Sequence, residues 1–528
     1  MENKKTKIIS IGAVVALALT VITATYAYFN AQVGDPAVAD IKVNANTVDT
    51  FTFSNGSAIS FSINQDNFAS GKGNQTGSTY ASATLTANNK TNTATEHYYL
   101  YLNIENNTFT YSINTNTPEI IMTVKNSVGN EVTDISTLNH VIVTGANGDQ
   151  VSGYDITNKS GLITLFDNRE ITTTSSKEEK WNITITFVNY DENQNANAGK
   201  SMSAKVMIQK EVIPQVVSDV CSNGTNLATC ITTLANKSIP SATNIYHHDS
   251  SLSNGAGDNS YRYAGASDVV NNFVCFGSNE STCPTDNLYR IIGVFGNNVK
   301  LIKYDYGTTD ELGTDGDYNQ TYKEWGMDST YKGTYGDGER IGVYYWNNTT
   351  QTNTWSESLL NKTNLNTNFI NNIGEEWANK IATTTWKVGG NTYSNIYSKT
   401  PSVVYQNEIV NPVTTNTTDN ATEYTAKIGL MYVSDYGFAA EPSAWTLTIG
   451  NYNNTTATST NWMYMGLYEW TLSRNADRSD DAFIVFGDGN VFGHYVGNDV
   501  AVRPSFSLLS SVTYSKGDGT QNSPIRIN

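Results

Sequence analysis

Three short constellations in this chain carry residue types that could do chemistry. His247-His248-Asp249 has the side chains of a metal site. Neighbours on an extended segment point to opposite sides, so one ion held by both imidazoles would need a turn there, and a solvated loop is the simpler expectation. Asp315-Gly316-Asp317-Tyr318-Asn319 begins like a calcium loop, because alternating oxygen ligands suit a hard cation. The Gly and Glu required at its sixth and twelfth positions are, however, Gln320 and Gly326. Calcium at this loop is the one cofactor option left open; otherwise no cofactor and no metal site is expected. Ser434, Asp435 and His494 supply the types of a hydrolytic triad, but no Gly-x-Ser-x-Gly elbow occurs and the chain has only 5 histidines. A His-Glu-x-x-His zinc-protease pair is absent from the sequence as well. The expectation is a protein that is not an enzyme.

Cysteines and aromatics suggest structure and binding instead. The 4 cysteines fall as two close pairs, Cys221/Cys230 and Cys275/Cys283, whose spacings suit local loop staples better than the tight C-x₂₋₄-C pairs of a zinc site. Disulfides Cys221–Cys230 and Cys275–Cys283 are the favoured pairing of three possible connectivities, with free thiols as the alternative. Arg503, before Pro504, reads as a buried arginine whose guanidinium bridges several carbonyls and locks the final strand. Most of the 9 tryptophans lie between Trp325 and Trp462, in a loop-rich region where aromatics can anchor a core or form a contact face. Candidate ligand-binding residues are Tyr436, Trp445, Trp462, Tyr468, Trp470, Arg474 and Asp477.

The address of the chain is written at its start. Lys4, Lys5 and Lys7 precede residues 8–29, a stretch without a charged side chain and long enough to cross a hydrocarbon core of roughly 30 Å. It reads as a signal peptide cut between Ala27 and Tyr28, or as an uncleaved transmembrane anchor. Either way the remainder is expected on the extracellular face of the membrane or secreted. No Leu-Pro-x-Thr-Gly sorting signal occurs at the other end, so attachment is expected through the N-terminal helix or through partners. With 32 basic and 49 acidic residues the net charge is −17 and no basic cluster follows the N-terminus. Nucleic acid is thereby excluded as a partner, because phosphate neutralisation needs Lys and Arg.

The 528 residues suffice for several domains, and their low charge (15 %) and Asn/Thr/Ser/Gly/Tyr-rich composition suit β-rich exported domains. From 39 to 212, short period-two runs such as TFTFSNGSAISFSI (50–63), YYLYLNIENNTFTYSI (98–113) and WNITITFVNY (181–190) are separated by polar turns. They predict an antiparallel β-sandwich. Residues 213–286 read as a disulfide-stapled connector with one short helix at 227–235 ended by Pro240. Residues 287–528 open with the hairpin NLYRIIGVFGNNVKLIKYDY and place helices at 356–373 and 375–383. The fold class is mainly β: signal or anchor helix, antiparallel sandwich, then an α+β domain.

Two resemblances extend this reading. Residues 461–508, NWMYMGLYEWTLSRNADRSDDAFIVFGDGNVFGHYVGNDVAVRPSFSL, resemble the C-terminal core of C-type-lectin-like domains of the formylglycine-generating-enzyme type. That resemblance implies a C-type-lectin-like domain over 287–528, with 290–295 paired beside 505–508. Upstream, DNSYRYAGAS, NNFVCFGS, CPTDNLYRIIGVF and KIGLMYVSDYGF resemble a module of surface proteins from Gram-positive-type bacteria. The enzyme's late cysteine pair has no counterpart after Cys283, and Glu441-Pro442-Ser443, the nearest match to a calcium-lectin sugar motif, lacks the third ligand. At the other end, TYAYFNA (25–31) followed by strand-rich sequence resembles the camelysin and TasA-type exported proteins, some of which assemble into extracellular fibres.

Together these imply a bacterial adhesin-like surface protein that binds a glycan or a host or matrix protein through its C-terminal domain. The alternative is a structural subunit of an extracellular matrix or fibre, of TasA type, with self-assembly.

Overall fold

The computed structural model describes residues 49–64, 72–88, 92–322, 331–335, 340–412, 422–453 and 455–528. The signal or anchor segment 1–29, with Ala27 and Tyr28, lies outside them. Among the described residues no helix is long and apolar enough to cross a membrane. The protein is mainly β, with 39% strand and 18% helix, and divides into two compact units, Met1–Val212 and Ile213–Asn528.

Among the described residues the first unit holds ten strands: β1 (Thr50–Asn55), β2 (Ile59–Ser62), β3 (Gln75–Thr86), β4 (Ala94–Asn107), β5 (Ile120–Asn126), β6 (His140–Thr144), β7 (Gln150–Asp155), β8 (Gly161–Thr173), β9 (Ser176–Phe187) and β10 (Ser201–Gln209). They form two antiparallel sheets, in the orders β1-β3-β9-β5-β7-β6 and β2-β10-β4-β8. Alternation explains the packing, since every second side chain of a strand faces the same way. Leu100, Leu102 and Ile104 of β4 share one core with Ile183, Ile185 and Phe187 of β9 in the other sheet, all at most 2 % exposed. Each such side chain contributes roughly 1.5–3 kcal/mol by leaving water. Two carboxylates are built into this sandwich. Glu119, fully buried, accepts from Ser112 Oγ (2.8 Å), Gln194 Nε2 (2.8 Å) and Asn197 Nδ2 (2.8 Å). Glu179 accepts from Tyr98 Oη (2.7 Å) and Arg169 Nε (2.8 Å), and the same guanidinium lies over Trp181.

The second unit begins with helix α1 (Leu227–Lys237), capped by Asn226, whose side chain accepts from Thr229 N. Its first sheet contains β11 (Ile245–His248), β12 (Ser260–Tyr263), β13 (Phe273–Cys275), β14 (Leu288–Phe295) and β15 (Asn298–Lys303), followed by Ser505–Ser507 and Ile428–Gly429. The expected hairpin is β14–β15. Its partner near the C-terminus is a correction: β15, not 290–295, pairs with Ser505–Ser507, in the register Lys300↔Ser507, Leu301↔Phe506, Ile302↔Ser505. The other edge of β14 is already filled by β12 and β13, so the inner place falls to β15.

Residues 213–286 are likewise no free-standing connector. They supply three strands to this sheet and are tied to the last residues of the chain, through Leu227 N to Val512 O (3.1 Å), Gly224 N to Tyr514 O (2.8 Å) and Ile525 N to Phe273 O (2.8 Å). Pro240 does not merely end a helix; it is the first residue of a following short turn, Pro240–Thr243. Both disulfides lie here, Cys221–Cys230 and Cys275–Cys283, with Cα atoms 5.6 and 5.8 Å apart.

Because both bridges belong to the second unit, reduction is expected to weaken that unit's unfolding transition by about 2–3 kcal/mol per bridge while leaving the sandwich's transition in place. Scanning calorimetry with and without reductant reads both.

Candidate functional site

The sheet that positions the site contains Gly390–Asn391 (β16), Glu469–Asn475 (β17), Asp481–Val485 (β18) and Val491–Tyr495 (β19). β17 runs antiparallel to β18 and β18 to β19, which forms the sheet's edge, while β16 lies parallel to β17. Five of the seven candidate binding residues are core. Tyr436, Trp445, Trp462 and Trp470 are at most 1 % exposed, and their polar tips bond to backbone carbonyls of Gly489, Ala440, Tyr263 and Tyr344, each at 2.8 Å. A ring whose polar end is spent on a neighbouring segment anchors that segment. Arg474 is buried too, whereas Tyr468 and Asp477 reach the surface.

An exposed aromatic run does exist, and its other members come from segments not singled out in the sequence. Helix α2 (Tyr393–Ser398) starts at Thr392, whose hydroxyl accepts from Asn395 N (3.2 Å), and is held down by buried Ile396. Residues four apart share a helix face, so Tyr393 and Tyr397 stand side by side, with ring centroids 6.2 Å apart and planes within 18°. The contacts continue from Tyr397 to Phe492 (5.4 Å), Phe492 to Phe486 (5.3 Å) and Phe486 to Tyr468 (4.7 Å). Asp477 fixes one end, accepting from Tyr393 N at 3.0 Å. Tyr393, Tyr397 and Tyr468 are 44, 48 and 38 % exposed, and they are the aromatic members among the large exposed apolar side chains of the described residues. All three belong to one continuous set of rings. The i, i+4 tyrosines of YSNIY were the available sequence signal.

The other constellations have structural employment. His247 stacks on Tyr261 (4.2 Å), while His248, fully buried, accepts from Ala256 N through Nδ1 (3.0 Å) and burial pushes its pKa far down, keeping it neutral. The two imidazoles thus serve opposite sides. Asp317 does not present a free ligand: its carboxylate accepts from Asn348 N (3.1 Å) and Leu360 N (2.9 Å), and Asp315 accepts from Asn368 Nδ2 (2.6 Å). Among the described residues no three His, Cys, Asp or Glu side chains form a metal-holding group. Asp435 pairs with Lys300 (2.5 Å) and lies 3.6 Å from Arg262, while His494 sits on the edge strand beside Asn498, so no triad forms.

Four arginines are less than 2 % exposed, and their satisfaction differs. Arg503 donates Nε to buried Glu469 (2.8 Å) and Nη2 to Met463 O (2.7 Å). Arg290 donates to Asn272, Ser267 and Val270, and Arg262 to Asp258 and Ser260. Arg474 has no partner for Nε or Nη2, and burial lowers its pKa to about 10. Glu408, deep in the same core, accepts from Ser434 N (3.1 Å) and from Ser473 Oγ; burial pushes its pKa from 4.5 up to about 7.

Comparison of the chain with protein-family models, with curated proteins and with solved structures returns no match. The fold and the aromatic run therefore carry the functional reading by themselves.

Arg503→Met is expected to cost about 3–5 kcal/mol, because it strands a buried carboxylate. Arg474→Met removes an unpaired buried charge and is expected to leave the melting temperature unchanged or raise it; thermal melts of the two variants make the comparison. Glu408 binds a proton more tightly folded than unfolded, so its contribution is full below pH 4.5 and is lost as pH rises through about 7. A decline on the order of 3 kcal/mol across that window is expected, and Glu408→Gln should flatten it in a pH series of chemical denaturations.

Proposed function

We propose that this is an exported surface protein whose second unit binds a glycan or a host or matrix protein through the rings of Tyr393, Tyr397, Phe492, Phe486 and Tyr468. The observation that carries the reading is their continuity: three exposed tyrosines, joined through the half-buried rings of Phe492 and Phe486, supply rigid contact area at low entropic cost. Work outside the cytoplasm is supported by the two disulfides, which fit an oxidising compartment, and by the lysine-led apolar segment at the start of the sequence. A C-type-lectin-like relationship for this unit rests on the resemblance of residues 461–508, with Ser505–Ser507 received by β15 and not by the 290–295 strand that the resemblance implies.

Self-assembly of the sandwich into a fibre, as in TasA-type proteins, is the second reading. Its support is Ile142, 66 % exposed on β6 at the edge of the six-stranded sheet, since an open apolar edge is a template for another strand.

An array of glycans and extracellular-matrix proteins probed with the full chain in mild detergent tests the binding reading. Selective binding is expected, with Tyr397→Ala reducing it at unchanged melting temperature. Binding that survives Tyr397→Ala and Tyr468→Ala alike would remove this surface from consideration, and regular filaments without selective binding would favour the fibre.

A further inference from the structure

Among the described residues two lysines are buried, both on β15, and their surroundings differ. Lys303 donates to Asp286 O (2.7 Å) and pairs with Glu311 (2.7 Å), a carboxylate already engaged by Thr308 N in its own helix cap. Lys300 donates to Asp435 Oδ2 at 2.5 Å. Asp435 lies on helix α3 (Val433–Ala439), 135 positions further along the chain. The two side chains are 8 and 2 % exposed, and the rings of Tyr432, Trp386 and Phe295 stand 4.6, 5.3 and 5.7 Å from the amine.

An acid completes the group. Glu408, fully buried in the turn Gln406–Val410, accepts from Ser434 N (3.1 Å), one residue before Asp435, and its charge acts on both Asp435 and Lys300. Arg262 Nη1 lies 3.6 Å from the other carboxylate oxygen, Asp435 Oδ1, while its Nη2 and Nε are given to Asp258 (2.6 Å) and Ser260 (2.8 Å).

In water an ammonium and a carboxylate stay an ion pair, because solvent stabilises both. Here solvent is excluded, and each charge carries a desolvation cost that a neutral amide would not. Burial lowers the pKa of Lys300, favouring the nucleophilic amine, and raises that of Glu408 to about 7, where it can both give and take a proton. The carboxyl carbon is one bond beyond Oδ2, so amine and electrophile are held at near-attack range.

We infer that Lys300 and Asp435 condense into an intramolecular isopeptide bond, with Glu408 as the proton relay. Lys300 Nζ passes one proton to Asp435 Oδ2, and the freed amine attacks Cγ to form the N–C bond. Oδ1 takes up the developing negative charge beside Arg262. Glu408 gives its proton to Oδ2 and takes another from Nζ; the Cγ–Oδ2 bond breaks and water leaves. One ammonium and one carboxylate become one amide and one water, with no other reactant. The bond ties β15, which receives Ser505–Ser507, to helix α3, and unlike the two disulfides it is indifferent to reductant.

Mass spectrometry of a tryptic digest of the reduced full chain tests this. Trypsin cuts after Arg290, Lys303, Lys427 and Arg474 but not at an acylated Lys300, so the bond joins 291–303 to 428–474 in one branched peptide. Its mass is expected to be one water below the sum of the two, with fragmentation placing the branch at Lys300 and Asp435. Lys300→Met and Asp435→Ala are expected to release 428–474 as a linear peptide, and Glu408→Gln to leave most of the chain unlinked. Separate linear peptides from the unsubstituted chain would overturn the inference and leave a buried ion pair only. Complete linkage in Glu408→Gln would overturn the relay assigned to that residue.

Discussion

The larger unit depends on one long-range strand pairing, that of Asn298–Lys303 with Ser505–Ser507, reinforced by Ser505 Oγ donating to Leu301 O across 204 positions of sequence. Closing so large a loop has an entropic cost that grows only slowly with length, but it must be offset where the ends meet. The residues around the junction do this. Leu301, Ile302 and Phe506 are fully buried, and Lys303, also buried, reaches Glu311 at 2.7 Å and Asp286 O at 2.7 Å. One step away, Arg503 joins Glu469 and Met463 to the approach of Ser505–Ser507. The edge sheet that displays the rings is an excursion between these two fixed strands, so its placement depends on their closure.

Large aromatic side chains divide into two populations by what their polar atoms find. Several buried tryptophans give up their N–H to backbone carbonyls far away in sequence, as Trp346 does to Thr471 O at 3.0 Å and Trp462 to Tyr263 O. A unit with so much irregular backbone holds its loops by such cross-bracing, because regular ladders cover only part of it. The exposed tyrosines have no comparable task. Tyr393 and Tyr397 sit on a helix fixed by its own cap and by Ile396, so their rings are free to meet something else.

The sandwich was legible where apolar residues alternate, as in β4, β9 and β10, and the Leu227 helix and the β14–β15 hairpin were legible from their caps and turn. β3 was not: QTGSTYASATLT buries Thr79, Ala81, Ser82 and Ala83 with Leu85 as its one large apolar side chain, so its hydrophobic period is weak although it pairs along its whole length with β9. The integration of 213–286 was hidden for another reason: its strands IYHH, SYRY and FVC are only three or four residues long, set among Gly-, Ser- and Asn-rich turns, and the strand β14 that gathers β12 and β13 follows later in the chain. For the site, sequence supplied Tyr468 and Asp477 but mistook Tyr436, Trp445, Trp462 and Trp470 for surface. Composition tells that aromatics are plentiful; only the position of a carbonyl near each ring's polar tip separates anchor from contact.

The stitching of residues 213–237 to 508–528 has a consequence for biogenesis. A chain made from its N-terminus onward can complete its sandwich while later segments are still being synthesised, but α1 and the strands β13 and β15 must wait for partners that emerge last. During that interval the apolar faces of the second unit have no cover, and its cysteines, each paired within a single short loop, can oxidise before any long-range contact exists. Local bridges of that kind limit the misfolded alternatives open to a domain whose completion is deferred until its last residues emerge.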